Sequence, residues 1–150
     1  MKKTVYAALT ILACALFARA VFAQAQPTMT VQRDPGCGCC LNWVAHLQKA
    51  GFKVLVTESP VMEKVKDQKG VPKEARSCHT GVIDGYVIEG HVPAADIQRL
   101  LKDRPAVVGL AVPGMPAGSP GMEVSSGQVQ PYNVVAFDKT GKTTIFASHR

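Results

Sequence analysis

The chain has 150 residues, with 17 Lys and Arg against 11 Asp and Glu and a formal charge of +6. Lys2, Lys3 and Arg19 fall within the first 23 positions, which hold no acid, so the remainder carries only +3. That balance is too mild to argue for a nucleic-acid partner, and about 127 residues suffice for one domain with its own core.

In chain order, MKKTVYAALTILACALFARAVFAQAQ places two lysines before an apolar run from Val5 to Phe17 and ends in Val21-Phe22-Ala23. This three-part pattern predicts a signal peptide over residues 1–23, cleaved near Gln24 or Gln26 and taking Cys14 with it. A retained anchor is the weaker reading, since a spanning helix wants roughly 20 apolar residues and Arg19 interrupts this run. A lipoprotein reading through Cys14 is poor, because the apolar run continues past it. The expectation is an exported, periplasmic protein with no membrane attachment after cleavage, and one domain over 24–150.

Thr28–Asp34 then reads as a short strand and Cys40–Ala50 as a helix with Trp43, Val44 and Leu47 on its apolar side and Gly51 as its stop. Phe52–Glu58 alternates and is β-branched, a second strand. Ser59-Pro60 offers an N-cap and first-turn proline for a helix running to about Lys69. After a polar connection, Asp84-Gly85 between two apolar runs predicts a two-residue hairpin. Pro93–Lys102 follows as a helix with Ile97, Leu100 and Leu101 inward. The order β-α-β-α-β-β-α is that of a thioredoxin-like domain. Pro105–Glu123, rich in Pro and Gly, is predicted as an ordered irregular loop. Tyr132–Phe137 and Thr143–Ala147 are predicted as a second hairpin that extends or flanks the sheet. The fold class expected is α/β and thioredoxin-like, a mixed sheet flanked by helices with an extra C-terminal hairpin.

Four cysteines remain beyond the signal: Cys37, Cys39, Cys40 and Cys78. Two structural disulfides would use them all, but three crowd into four positions and cannot all pair without strained local loops. In a thioredoxin-like frame the loop after the first strand delivers Cys37-Gly38-Cys39-Cys40 to a helix N-terminus, where unpaired N–H groups and the helix dipole favour thiolate. Thiolate serves disulfide exchange and metal ligation equally. In thioredoxin-like oxidoreductases a cis-proline faces the dithiol from the loop before the third strand; Cys78-His79 occupy that place here, with Pro72 upstream as a displaced candidate. Four thiolates could hold zinc, Cu(I) or an iron–sulfur cluster. Adjacent Cys39 and Cys40 chelate one tetrahedral ion poorly together with Cys37 and suit bridging between several soft ions, which favours Cu(I).

Met115 and Met122 lie in two Pro-Gly-Met repeats, and thioether sulfur is a Cu(I) ligand; the alternative is that they plug apolar surface. His79, next to Cys78, is expected as a ligand or its close support. His91 is either a ligand or a loop and capping residue. His46, about two turns into the first helix, is expected at the surface, His149 is expected to do nothing specific in a fraying terminus, and Trp43 is expected to pack beside the site.

Three segments, PGCGCCLNW, SCHTGVIDGYVIEGHVP and GLAVPGMPAGSPGM, give the chain a resemblance to the CopG-type periplasmic copper-resistance family, long labelled a domain of unknown function. The resemblance covers nearly the whole chain after the signal. It implies a thioredoxin-like fold, a Gram-negative periplasmic location and copper bound at the cysteine-rich site. Cys37, Cys39 and Cys40 match its cysteine motif, and Cys78, His79, His91, Met115 and Met122 fall in its other blocks. The expected function is binding of Cu(I), one or several ions with Cu(II) also open, through bridging cysteines in copper resistance, with periplasmic copper-handling proteins as partners. Redox turnover of copper is an open possibility at such a site. The alternative is a thiol–disulfide oxidoreductase using Cys37 as nucleophile and Cys40 as resolving thiol.

Overall fold

A computed structural model describes residues 27–150. The predicted signal peptide and Cys14 lie outside them. Met29–Arg33 forms β1, in which Met29, Val31 and Arg33 alternate into the interior. Helix α1 spans Gly38–Lys49 and starts two residues before its predicted first residue. Its buried residues Cys40, Trp43, Val44 and Leu47 recur at the i, i+3, i+4, i+7 spacing of one helical stripe. Strand β2, Val54–Glu58, returns parallel to β1 with Val31 opposite Val56.

The next helix, α2, covers Met62–Gln68 and begins after the predicted Ser59-Pro60 start. The reason lies in the sheet: the Ser59 N–H donates to the Arg33 carbonyl at 2.9 Å, which extends the β1–β2 ladder by one bond and delays the helix. A short 3-10 turn, Lys73–Ala75, occupies the polar connection. Strands β3, His79–Ile83, and β4, Tyr86–Glu89, form the predicted hairpin, with φ of 49° at Asp84 and 85° at Gly85 as a type I′ turn requires. Helix α3 runs over Ala94–Asp103.

The expected irregular loop is corrected at its start. Gly109–Ala111 is a strand, β5, pairing parallel with β4 and antiparallel with β6, Tyr132–Phe137. Three residues between Pro- and Gly-rich flanks carry too little periodicity to read as a strand. Gly109 is required there, since a Cβ would stand 1.9 Å from the Val87 carbonyl oxygen. Strand β7, Thr143–His149, closes the second hairpin and runs two residues past its predicted end. The result is a seven-stranded mixed sheet in the order β2-β1-β3-β4-β5-β6-β7, with the C-terminal hairpin continuing it through β5.

Helices α1 and α3 share one face of this sheet, where Trp43, Leu47, Ile97 and Leu100 pack on Met29, Val31, Ile88 and Leu110. Val71 and Ala75, in the segment after α2, join Val87, Ala111 and Phe137 in a second, smaller cluster. Burying each large side chain of the main cluster is worth roughly 1.5–3 kcal/mol relative to exposure.

Candidate metal centre

Strand register builds the site. Arg33 at the end of β1 pairs with His79 at the start of β3, so the loop leaving β1 meets the chain entering β3. The first carries Cys37 and the second Cys78. The β1 loop is shaped by Asp34, whose carboxylate accepts the Gly36 N–H at 2.8 Å and whose carbonyl accepts the Cys37 N–H at 3.0 Å. Arg33, largely buried, donates from Nη1 to the carbonyls of Asp34, Pro35 and Cys37 at 3.0, 3.1 and 3.1 Å and pairs through Nη2 with Glu58. Cys37 then sits at the N-cap of α1, without a capping side chain and with no acid in the first turn, so the end of the helix faces the sulfur atoms with its N–H groups.

Cys37 and Cys40 are joined in a disulfide with their Cα atoms 5.6 Å apart, within the ordinary range. Among the described residues, Cys39 and Cys78 are free. The Cys39 sulfur lies 3.4 Å from Cys37 Sγ, and the four sulfurs all fall within 4.8 Å of one another.

A second donor group shares Cys78. Its Sγ is 3.2 Å from His79 Nδ1 and 3.2 Å from His91 Nε2. His91 arrives because the Gly90 N–H, at a φ of 70°, donates back to the His79 carbonyl and turns the chain immediately after β4. His91 Nδ1 faces the Pro120 carbonyl at 2.8 Å. A carbonyl only accepts, so Nδ1 carries the proton and Nε2 presents its lone pair toward Cys78. The His79 ring lies 4.3 Å from the Trp43 ring, and its buried Nε2 has no hydrogen-bond partner among the described residues.

Behind these donors lies a buried charged network that sequence reasoning missed. Lys66 Nζ donates to Glu89 Oε1 at 2.6 Å and to Thr80 Oγ1 at 3.1 Å, Thr80 donates to Glu89 Oε2 at 2.7 Å, and the Ser77 N–H donates to Glu89 Oε1 at 2.7 Å. Glu89 thereby anchors the residue directly before Cys78. A signal was present in the sequence: Lys66 follows Met62 and Val65 at the i+4 position of one helical stripe, and Arg33 occupies an inward position after Met29 and Val31.

Burial sets the protonation of the site. It pushes the Cys78 thiol up to about 12, with the neighbouring Cys39 adding to the shift. It pulls His79 down to about 3, assisted by His91 and Lys66, and lowers His91 as well. Both imidazoles are therefore neutral, the form that ligates metals, while Cys78 keeps its proton until an ion displaces it. The helix-terminus expectation of ready thiolate does not extend to Cys78, which lies at a strand end.

The methionine loop is fixed near the site on two sides. Ser77 Oγ donates to the Gly114 carbonyl, and the Gly114 N–H donates to the Arg76 carbonyl at 3.3 Å, next to Met115. Gly121, beside Met122, packs so closely on α1 that a Cβ would stand 2.5 Å from the Trp43 nitrogen. These contacts fix the backbone; the Met115 side chain is 52% exposed and Met122 half-buried.

Other expectations are sharpened or corrected. Trp43 is fully buried beside the site, with Nε1 donating to the Val92 carbonyl at 2.9 Å. His46 is half-buried rather than a surface residue, and its Nε2 accepts the Ala94 N–H at the start of α3. His149 is engaged: it stacks on Tyr132 and pairs with Asp96 at 2.7 Å, because β7 extends to it. Pro72 heads the 3-10 turn and lies by the β6–β7 turn, 3.9 Å from where a Gly141 Cβ would stand, so it is not a displaced groove proline.

Comparison with known proteins places the chain in a family. Residues 75–122, which include Cys78, His79, His91 and both methionines of the loop, match the model of a family described as "Protein of unknown function, DUF411". No curated protein matches the chain. A solved structure described as copper resistance protein CopG, form 1, is 48% identical over 83% of this chain and 98% of its own, with a TM-score of 0.78. A second, form 2 of the same description, is 47% identical over 83% of this chain and 99% of its own, with a TM-score of 0.79. With identity of this order across nearly the full length of those chains, the chain belongs to the CopG family of copper resistance proteins.

Proposed function

We propose that the protein binds copper as Cu(I), one or several ions, through the sulfurs of Cys37, Cys39, Cys40 and Cys78, with His79 and His91 completing the donor set and Met115 and Met122 lending thioether sulfur. The observation that carries the reading is Cys78 Sγ, which belongs both to the group of four sulfurs and to the group with two imidazoles. Soft thiolates and neutral imidazoles suit copper, and adjacent Cys39 and Cys40 point to bridging between ions. Cys37 and Cys40 join the set only when their disulfide is opened, since thiolate is the ligating form.

The frame is read as thioredoxin-like, supported by the βαβ unit, the β3–β4 hairpin, α3 and a cysteine pair at the start of α1. Export to the periplasm rests on the pattern of residues 1–23, and a role in copper resistance alongside other copper-handling proteins rests on the relatives' descriptions. No helix among the described residues is long and apolar enough to cross a membrane. The test is anaerobic titration of the reduced chain from residue 24 with Cu(I). At least one tightly held copper per chain, lost in Cys78→Ser, is expected; retention of zinc with less than one copper overturns the reading.

One observation favours a second reading. The closed Cys37–Cys40 bond at the start of α1 is what a thiol–disulfide oxidoreductase would carry. Insulin reduction by the metal-free protein that disappears in Cys37→Ser and persists in Cys78→Ser would establish it.

A further inference from the structure

The two donor groups respond differently to the disulfide. Closing Cys37–Cys40 removes two of the four sulfurs as ligands. It removes no atom of the Cys78, His79, His91 group and leaves Cys39 free beside Cys78. We propose that the chain with this disulfide closed is itself a metal-binding state, in which Cys78, His79 and His91, with Cys39 adjacent, take a single borderline divalent ion. The inference rests on the copper reading for the opened chain and adds a second state to it.

The geometry is close to what an ion needs. A thiolate sulfur about 2.3 Å and an imidazole nitrogen about 2.0 Å from one tetrahedral ion stand about 3.5 Å apart. The two sulfur–nitrogen distances are 3.2 Å, so a few tenths of an ångström of opening admits the ion. His91 is held in the ligating tautomer by the Pro120 carbonyl, the kind of support that orients metal-bound imidazoles. His79 is held by the Trp43 ring while its buried Nε2 goes unpartnered. An orphaned buried nitrogen is costly, and this one is explained if the ring is set for what its other nitrogen, Nδ1, does.

The change in donors changes the class of ion. The opened chain offers four sulfurs and two imidazoles, a set dominated by soft ligands. The closed chain offers the Cys78 sulfur and two imidazoles as one group, with the Cys39 sulfur within 4.8 Å of Cys78 Sγ alone, a mixed set of the kind that suits zinc, cobalt and divalent copper. The two states differ by two electrons and two protons on Cys37 and Cys40, so a thiol or phosphine reductant converts the closed chain into the opened one.

Cobalt(II), which does not oxidise thiols, is the probe. The closed chain from residue 24, titrated anaerobically, is expected to bind one Co(II) with a sulfur-to-cobalt charge-transfer band and the visible bands of tetrahedral cobalt. Cys78→Ser and His91→Ala are each expected to weaken binding about 100-fold or more, above the loss that follows removal of a supporting group alone. The Cys37→Ser, Cys40→Ser double variant is expected to bind Co(II) with the same spectrum. Binding by the closed chain that is no tighter than in Cys78→Ser, or that lacks the sulfur band, overturns the inference. A reduced chain that takes no Cu(I) while the closed chain takes Co(II) overturns the copper reading alone.

Discussion

The two walls of the site are built in opposite ways. The α1 wall carries Cys37, Cys39 and Cys40 on a turn and a first helical turn whose glycines, Gly36 and Gly38, are exposed. The strand wall carries Cys78, His79 and His91, with both imidazoles fully buried and a closed polar network beneath them. One wall can change its covalent state; the other is held in place by the sheet.

The largest break in that contrast comes from the network under the strand wall. Lys66→Met leaves the fully buried Glu89 carboxylate without its cation, and removing one partner of a buried pair costs about 3–5 kcal/mol. Urea denaturation should show that loss. Replacing Lys66 and Glu89 together with Met and Leu should recover part of it, while the Ser77 N–H and the Thr80 hydroxyl stay unsatisfied. Equal stability of the single variant and the parent would mean the strand wall is not held from below.

Glycines test the same contrast locally. At Gly90 an added Cβ would meet Ser77 Cβ at 2.6 Å and the Val112 carbonyl oxygen at 2.8 Å, on a backbone with φ of 70°. Gly90→Ala should cost about 2–4 kcal/mol, from left-handed strain and overpacking together, and should displace Ser77 and Cys78. At Gly38 nothing lies within 4 Å of the added Cβ, and Gly38→Ala should leave thermal stability unchanged or slightly raised. Similar costs at the two positions would erase the distinction between the walls.

The legible part of this site was the part whose residues are adjacent in sequence. The Cys37–Cys40 cluster and Cys78-His79 stand out as strings, and hydrophobic spacing located both helices that carry or flank them. What was not legible depends on long-range register. Arg33 meets Cys37 only because β1 ends where the loop turns back, and Glu89 meets Ser77 only because β3 and β4 pair. Strand β5 is not legible because three residues, one of them a glycine forced by the Val87 backbone, show no periodicity. The placement of Pro120 against His91 likewise crosses 29 positions of chain.

Acid should separate the walls next. The folded His79 titrates at about 3 and the unfolded one near 6.5, so below pH 6.5 the unfolded chain takes up a proton that the folded chain refuses. Stability is therefore fully present above pH 6.5 and falls by about 1.4 kcal/mol per pH unit below it, nearly 3 kcal/mol by pH 4.5. His91 and His46, shifted in the same direction, steepen the fall. Metal-free His79→Gln should show a shallower pH profile in chemical denaturation; an unchanged slope would remove His79 as the cause. Opening the Cys37–Cys40 bond should not alter this slope, because neither cysteine touches the imidazoles' hydrogen bonds.

The smallest effect belongs to the methionine loop, and it bears on which wall Met115 serves. Its backbone is tied to the strand wall through Gly114 and Ser77, yet its side chain is 52% exposed. An exposed thioether contributes little to packing, so Met115→Leu should change folding stability by less than about 0.5 kcal/mol. Leucine matches methionine in size and differs in lacking sulfur, so any change in Cu(I) affinity isolates the thioether as a donor. A competition titration of the reduced Met115→Leu chain that shows weaker Cu(I) binding at unchanged stability would draw the loop into the site as a third wall. Unchanged affinity would leave Met115 as a surface residue on a loop that sets the Pro120 carbonyl against His91.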